Sequence, residues 1–353
     1  MSYDHNGLGA RPRGPESGGP MSFDVVQPRT RVIGTGGYLP EQVVTNAELE
    51  KRLPTTADWI KQHTGIEERH VAAPDEATSD MAAVAAKRAI EASGLTVADL
   101  DLIILATATP DSPLPASAAH LQQKLGADLI PAFDLNASSA GFLYAMTIGD
   151  QFISAGTYKT VLVVGADVMS RVTREDDRTA SALFGDGAGA VVLAPAVDDG
   201  RGILSSRIQA DGMMSSLMQL PGGGSAEPLT ESSLAEGRQF VRVEGKKLYA
   251  ISIRHLTSYS MQALKAARLT SAELDWVVPQ QGNLNIVTTI SERLGFPLDR
   301  FVLNLEHTGN TQAASVPIAL DEAVRDGRIQ AGHNVLLCAL GAGIAWGSMM
   351  IRM

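Results

Sequence analysis

The chain repeats its pattern of helices and strands at a nearly constant distance, and this repetition restricts the folds that it can adopt. LTVADLDLII begins at Leu95 and LTSAELDWVV begins at Leu269, an offset of 174 residues. AGTYKTVLVVG begins at Ala155 and AGHNVLLCALG begins at Ala331, an offset of 176 residues. Two matching pairs in the same order at nearly one offset indicate a duplicated α/β unit. The alternative is that Leu-Thr-x-Ala/Glu recurs only as a common helix start.

The two halves are also predicted to alternate helices and strands in the same order. In the first half, helical spacing and apolar runs typical of buried strands alternate over residues 79–94, 101–110, 141–156 and 160–168. The second half again runs helix, strand, helix, strand. In a chain of 353 residues, we therefore predict an N-terminal half over residues 30–200 and a C-terminal half over residues 201–353.

Composition excludes several classes of function. The net charge is −10, so the chain has no general attraction for nucleic acid or anionic membranes, and no apolar run reaches the roughly 18–20 residues of a membrane span. A single cysteine excludes an internal disulfide framework and a multi-cysteine metal site. A cytoplasmic protein is therefore expected.

The glycine-rich phrases GTGGYLP and GDGAGA do not fit the G-x-G-x-x-G pattern of a dinucleotide-binding loop. Residues 1–29 hold many glycines and prolines and are predicted to be a flexible extension.

The stretch FDLNASSAGF is the first candidate for a catalytic centre. Its small residues follow an apolar run and precede a predicted helix, a place where a nucleophile can meet a helix N-terminus. Either serine, Ser138 or Ser139, is a candidate nucleophile, and the alternative is a small residue that only lets the turn fit. The offset of 174 places Asn136 opposite Asn310, so the equivalent loops of both halves are expected to meet in a cleft.

Several motifs in a fixed order connect the chain to a known family. They are PAFDLNASSAGFLYAM, FGDGAGAVVL, WVVPQQGNLNI, HTGNTQAASVPIAL and GAGIAWGS, with ADWIKQHTGIEERH near the start. Over residues 30–353 the chain resembles β-ketoacyl-acyl-carrier-protein synthase III of the thiolase superfamily. The resemblance implies a five-layered αβαβα thiolase fold and a homodimer, with a mixed dimer as an alternative. It also implies acyl transfer from coenzyme A to a nucleophile, followed by condensation with a malonyl-carrier thioester; coenzyme A is then a substrate, and no cofactor or metal is expected.

The resemblance assigns roles to residues, but the two most reactive positions differ from the family pattern. Ser139 stands where the family has its acylated cysteine and Gln280 where it has a histidine, whereas Asn310 agrees. The backbone N–H groups of Ser139 and Gly343 would form an oxyanion hole. The other residues with implied substrate contacts are Trp59 and Arg178 on the adenine, Asn283 on the pantetheine arm, Leu114 in the dimer loop, and Phe184.

Serine and glutamine are a poor pair for forming an acyl-enzyme. A serine hydroxyl normally needs an adjacent base, and the amide of Gln280 does not titrate. His307 and Glu306 are the nearest candidates for a base in the sequence, although both are more simply loop residues. Cys338 lies in an apolar run and is interpreted as a core residue.

Three explanations account for a serine at position 139 and a glutamine at position 280. The chain is a divergent acyltransferase or condensing enzyme that uses serine, a catalytically silent subunit, or an engineered variant with Cys→Ser and His→Gln changes that traps substrate. His63, Ala250 and Asn285 occupy positions that are basic in housekeeping members of the family, which favours natural divergence. The favoured prediction is an acyl-transferring or condensing enzyme of polyketide or fatty-acid-type biosynthesis, with acyl-CoA and acyl carrier protein as partners.

Overall fold

A computed structural model describes residues 29–353 of the chain. The predicted flexible extension over residues 1–29 therefore lies outside the described residues, except for Arg29. The carbonyl oxygen of Arg29 accepts a hydrogen bond from the N–H of Ala196 at 2.9 Å, so the described part begins on the edge of a sheet.

Thirteen strands and eleven helices make up the described residues. The strands are β1 Thr30–Tyr38, β2 Gln42–Thr45, β3 Glu68–Val71, β4 Leu102–Ala106, β5 Ala132–Leu135, β6 Val161–Asp167, β7 Gly187–Pro195, β8 Gly202–Ala210, β9 Met218–Gln219, β10 Arg242–Val243, β11 Trp276–Pro279, β12 Asn334–Gly341 and β13 Ala345–Arg352. The helices are α1 Asn46–Glu50, α2 Ala57–Thr64, α3 Thr78–Ser93, α4 Ser117–Leu125, α5 Gly141–Ser154, α6 Arg178–Leu183, α7 Glu231–Ala235, α8 Gly245–Ala266, α9 Leu284–Leu294, α10 Leu305–Thr308 and α11 Ser315–Arg325.

Two large sheets share one topology. The first sheet has the order β1-β7-β6-β4-β5 and the second has the order β8-β13-β12-β11. In each sheet the first three neighbouring pairs are antiparallel, antiparallel and parallel. Phe301 bridges Val277 of β11 in parallel, where the first sheet has β5. The internal duplication predicted from the repeated phrases is therefore confirmed at the level of strand order.

The central strands of both large sheets are buried on their two faces, which produces five layers. Ile104 and Val163 of the first sheet face α5 and α11, together with Leu337 of the second sheet. The opposite face of the first sheet, with Ile103, packs on α3 and α4. The opposite face of the second sheet, with Leu336, packs on α8 and α9. Successive side chains of a strand point to opposite faces, so each strand contributes to the hydrophobic core on both sides of its sheet. The resulting order of layers is helix, sheet, helix, sheet, helix.

The repeat extends to single backbone angles at the junctions before α5 and α11. Ser138 has φ +49° and Gln312 has φ +53°, a conformation that few residues other than glycine adopt. The N–H of Ser138 donates to the side-chain oxygen of Asn136, and the N–H of Gln312 donates to that of Asn310, both at 3.1 Å. Ser138 and Gln312 are 174 residues apart, as are Asn136 and Asn310. The same offset therefore relates both the sequences and the conformations of the two turns.

Each turn packs against the end of a strand from the other half. A Cβ atom on Gly341, at the end of β12, would lie 2.5 Å from the carbonyl oxygen of Ala137 and 2.7 Å from the Ser139 nitrogen, so only glycine fits there. At the end of β6, the buried carboxylate of Asp167 accepts a hydrogen bond from the N–H of Ala313 at 3.0 Å. These reciprocal contacts fix the two candidate loops against each other.

Within residues 29–353, no helix is both long enough and apolar enough to cross a membrane. The two glycine-rich phrases that were excluded as dinucleotide loops lie within or beside β1 and β7, in keeping with that exclusion. Cys338 is fully buried in β12, where burial raises the pKa of its thiol to about 12, so it is the core residue that the sequence predicted.

Candidate active site

A cavity of about 480 Å³ contains most of the predicted site residues. It is lined by elements of both halves and ends at the two equivalent turns. Six of the nine predicted residues lie in its wall: Trp59, Ser139, Phe184, Gln280, Asn283 and Asn310. Arg178, Gly343 and Leu114 do not line it.

Ser139 reaches the cavity from a single 3₁₀ turn, Ser138–Ala140, that leads directly into α5. Its side chain is almost fully buried, with 1% of its surface exposed. The close approach of Gly341 holds the turn from behind. Ser139 is therefore presented at the N-terminal end of a helix, as predicted, and it rather than Ser138 lines this cavity.

The hydroxyl of Ser139 is bonded to a residue that the sequence analysis did not select. Both serine hydroxyls donate to the side-chain oxygen of Gln312, Ser139 at 2.6 Å and Ser138 at 2.7 Å. An amide oxygen accepts a hydrogen bond but does not take up a proton at neutral pH. One signal in the sequence pointed to Gln312, because the offset of 174 places it opposite Ser138.

The amides of Gln280 and Asn310 direct their nitrogens into the cavity. The N–H of Leu340 donates to Gln280 Oε1 at 3.1 Å, and the N–H of Gln312 donates to Asn310 Oδ1 at 3.1 Å. Because a backbone N–H only donates, both amide oxygens must face the protein. A Cβ atom on Gly282 would lie 3.5 Å from Gln280 Nε2 and 3.9 Å from Asn310 Nδ2, so the two nitrogens converge on one region.

The neighbouring glutamine, Gln281, has a different environment. Its side chain is fully buried, donates to the carbonyl oxygens of Pro279 and Val302, and accepts from the N–H groups of Asn304 and Leu305. Three of the four bonds tie the end of β11 to residues 302–305, just before and at the start of α10. Gln281 therefore stabilises the wall of the cavity, whereas Gln280 faces its interior.

The predicted alternative bases lie outside the cavity. His307 pairs with Glu322 at 3.4 Å, and this hydrogen bond raises the pKa of the imidazole. Glu306 contributes its backbone oxygen to the N–H of Glu67. Neither lines the cavity, and both lie in the short helix α10 rather than in the loop that the sequence predicted. His63 lines the cavity, and its Nδ1 lies 2.8 Å from the Trp59 carbonyl oxygen.

The side chains of the predicted adenine-binding pair, Trp59 and Arg178, stack directly on each other in this structure. The guanidinium carbon of Arg178 lies 4.4 Å from the Trp59 ring centre, and the His63 ring also stacks on Trp59, at 4.2 Å. Arg178 begins α6 and is exposed, whereas Trp59 lies in α2. The structure brings the two predicted residues together, and a purine between them would have to separate the pair.

The remaining predicted residues differ in their burial and in whether they line the cavity. The Asn283 side chain caps α9 and donates to the His63 carbonyl oxygen at 2.9 Å, so its amide is already bonded within the protein. Leu114 is 86% exposed on a loop, and the buried Phe184 bridges Asn310. Gly343 is exposed and does not line the cavity, whereas Leu340 and Gly341 of the same segment do; its oxyanion role stays a prediction.

Charged groups at the cavity are few. Lys246, at the start of α8, lines the wall and was not selected from the sequence. Asp167 lies fully buried near the turn of Ala313, and burial raises the pKa of its carboxyl to about 6 although five N–H and O–H groups donate to it.

Among residues 29–353, no group of three or more His, Cys, Asp or Glu side chains is placed to hold a metal ion.

Two family profiles match the chain. The profile described as 3-oxoacyl-[acyl-carrier-protein (ACP)] synthase III matches residues 133–212, and its C-terminal counterpart matches residues 264–353. The chain is 44% identical over 323 residues to the β-ketoacyl-[acyl-carrier-protein] synthase III of Methylococcus capsulatus, covering 92% of this chain and 98% of that protein. The protein of the same name from Shewanella oneidensis is also 44% identical, covering 92% and 99%.

Solved structures give the same result. The 3-oxoacyl-[acyl-carrier-protein] synthase III of Aquifex aeolicus VF5 is 38% identical with a TM-score of 0.85, over 92% of this chain and all of that one. The priming β-ketosynthase of the R1128 polyketide biosynthetic pathway is 32% identical with a TM-score of 0.85, over 95% and 99%. Together with the five layers, these similarities confirm the predicted thiolase-type α/β fold.

Proposed function

Because this chain belongs to the 3-oxoacyl-[acyl-carrier-protein] synthase III family, we propose that it is an acyl-transferring condensing enzyme with Ser139 as its acyl acceptor. It acts on acyl-CoA or acyl-carrier-protein thioesters in polyketide or fatty-acid-type biosynthesis. One observation supports this most: Ser139 and the amide nitrogens of Gln280 and Asn310 lie at the inner end of one cavity.

In the proposed step, Ser139 Oγ attacks the carbonyl carbon of the thioester. A C–O bond forms, the C–S bond breaks, and the serine proton leaves with the departing sulfur, so that the products are an acyl-serine and a free thiol. The two amide N–H₂ groups and the backbone N–H of Ser139 stabilise the oxyanion. The N-terminal end of α5 favours negative charge at the same point.

Intact-mass measurement tests this step directly. The wild-type chain is incubated with a panel of acyl-CoA and acyl-carrier-protein donors, and an adduct of the acyl mass is expected, which peptide mapping places on Ser139. Ser139→Ala is the matched control, since it removes the acceptor and leaves the turn, and it should gain no mass. If no donor in the panel modifies the wild-type chain, covalent transfer to Ser139 is wrong.

One observation favours a second candidate, a thioester-binding subunit without covalent catalysis or a substrate-trapping variant. The Ser139 hydroxyl donates to the amide oxygen of Gln312, and Gln280 is equally unable to titrate. Such a chain would bind the same donors and gain no mass. Sequencing the native gene separates the two forms of this candidate, because cysteine and histidine codons at positions 139 and 280 would identify an engineered chain.

We further propose that acyl-CoA donors insert their adenine between Trp59 and Arg178. Stacking of a base on an aromatic ring contributes about 1–3 kcal/mol. Trp59→Ala is therefore expected to raise KM for acyl-CoA by about tenfold or more and to leave KM for the corresponding acyl-pantetheine nearly unchanged. An equal rise in KM for both donors would contradict the stacking role, since acyl-pantetheine has no adenine.

The partners of this reaction remain proposals. An acyl carrier protein would deliver the malonyl group, and a second copy of the chain would complete a homodimer, with a mixed dimer as the alternative. The 86% exposure of Leu114 in a single chain supports a role for its loop in contacts with another subunit. A cytoplasmic location also stays a prediction.

A further inference from the structure

Three arginines line a cleft that the proposed reaction does not use. The cleft has a volume of about 450 Å³, and its wall includes Arg31 of β1, Arg201 before β8 and Arg352 of β13. Arg31 belongs to the first half of the chain, whereas Arg201 and Arg352 belong to the second. We name this space the arginine cleft; it lies where the two halves meet.

The arginine cleft is remote from the candidate active site. Strand β12 connects the two regions, because its first residue, Asn334, accepts a hydrogen bond from Arg352 Nε at 2.9 Å and its last residue, Gly341, packs against the serine turn. A strand rises about 3.3 Å per residue, so the eight residues of β12 separate the regions by roughly 20 Å. A small ligand in the arginine cleft would therefore not touch Ser139.

Most hydrogen-bond donors of Arg31 and Arg352 have no partner among residues 29–353. A guanidinium carries five N–H donors. Arg31 Nε is buried without a partner, and Arg31 Nη1 lies 3.9 Å from the nearest carboxylate oxygen, of Asp199, which is too far for a hydrogen bond. Arg352 donates through Nε to Asn334 and makes no ion pair within the same range. These donors are available to a ligand.

The arginine cleft also has an excess of positive charge. In the described part of the chain, Asp199 is the only acidic side chain that pairs with any of the three arginines, and it is bonded to Arg201, with Nε and Oδ2 at 2.7 Å. Even if the terminal carboxylate of Met353, which also lines the cleft, is counted, one positive charge is left over. Like charges held together repel each other, and here they do so in a chain whose net charge is −10. An anion in the cleft would remove this repulsion.

We propose that the arginine cleft binds a phosphate group, carried either by free phosphate or by a small phosphate monoester. Guanidinium groups match phosphate oxygens with paired N–H donors, and donors from three arginines exceed what the two oxygens of a carboxylate can accept. Val32 and Leu95 in the same wall give a monoester an apolar surface for its organic part. Because residues of both halves would hold the ligand, it stabilises the folded chain. The proposal does not depend on acyl transfer at Ser139.

Calorimetry on the complete chain tests the proposal directly. The probes are inorganic phosphate, phenyl phosphate and benzoate, at constant ionic strength so that screening is the same for all three. Both phosphate compounds should bind more tightly than benzoate and should raise Tm with their concentration. A lower Kd for phenyl phosphate than for inorganic phosphate would identify a monoester site, whereas equal values would identify a site for free phosphate.

Single substitutions locate the bound phosphate. Arg31→Gln and Arg352→Gln each remove charge-assisted hydrogen bonds, so each should raise the Kd of phenyl phosphate by at least about tenfold. Arg352→Lys keeps the charge without the fork of donors and should give an intermediate Kd. Arg178→Gln is the matched control, because it removes one exposed arginine near the first cavity and should leave the Kd unchanged. Thermal melting without ligand checks that each variant is folded.

Three results would overturn the proposal. The first is that the folded wild-type chain binds neither phosphate compound. The second is that Arg178→Gln loses binding while Arg31→Gln and Arg352→Gln keep it, since the phosphate would then lie beside the active-site cavity. The third is that benzoate binds as tightly as phenyl phosphate. Acylation of Ser139 is measured separately, so its failure would leave the arginine cleft untouched.

Discussion

The double variant Ser139→Cys/Gln280→His is expected to form an acyl-enzyme at least about 100-fold faster than the wild-type chain. A thiol with a pKa near 8.5 ionises far more readily than a serine hydroxyl, and one well-placed oxyanion donor typically contributes about 10²–10³-fold. The N–H of Leu340, which now donates to Gln280 Oε1, would donate to Nδ1 of the introduced imidazole. Its Nε2 would then carry the proton and donate into the cavity, toward the thioester oxygen.

The measurement is the rate of mass gain with an acyl-CoA donor under single-turnover conditions. Ser138→Cys/Gln280→His is the matched control, because it carries the same two side chains with the thiol one residue earlier, at a position that does not line the cavity. We expect no acylation of this control. If the Ser139 variant is folded and equally silent, the cavity does not serve acyl transfer, and the binding-subunit candidate becomes the better account.

Gln281→Ala is expected to lower the free energy of unfolding by about 3 kcal/mol. The substitution leaves the carbonyl oxygens of Pro279 and Val302 and the N–H groups of Asn304 and Leu305 without their buried partner. Each unpaired buried group costs about 1–3 kcal/mol, and local rearrangement recovers part of the total.

Gln280→Ala supplies the comparison, because it makes the same chemical change at the next residue. It loses one hydrogen bond, from the Leu340 N–H at the cavity wall, and should lower the free energy of unfolding by less than about 1 kcal/mol. Urea unfolding followed by circular dichroism measures both variants, with equal m-values as the condition for comparing them. Equal losses would contradict the assignment of a structural role to Gln281 alone.

The sequence predicted the repeated architecture well because helices and strands follow from patterns among residues that are near each other in the chain. Apolar periodicity identified the buried strands and the helices, including α3, α5 and α11, without reference to contacts between them. The offset of 174 residues predicted equivalent turns, and Ser138 and Gln312 have nearly the same unusual φ angle. The resemblance of the motifs predicted the family and the five layers.

Individual contacts in the candidate site were less predictable. Gln280 and Gln281 are adjacent and chemically identical, yet one faces the cavity and the other is fully bonded within the wall. Gly343 was assigned to an oxyanion hole by its motif; it is exposed, and that role stays a prediction. The motifs assigned Trp59 and Arg178 to the adenine, and only the structure shows that the two side chains stack on each other.

The sequence by itself determined that two similar α/β units bring a serine turn, a glutamine and an asparagine to one cleft. Only the tertiary structure decided that the hydroxyls of Ser139 and Ser138 are both bonded to the side-chain oxygen of Gln312. The physical reason is that hydrophobic burial is set by local periodicity, whereas hydrogen bonds depend on angles and distances between distant segments. Ser139 and Gln312 are 173 residues apart, and their contact exists only because each half packs its turn against the other.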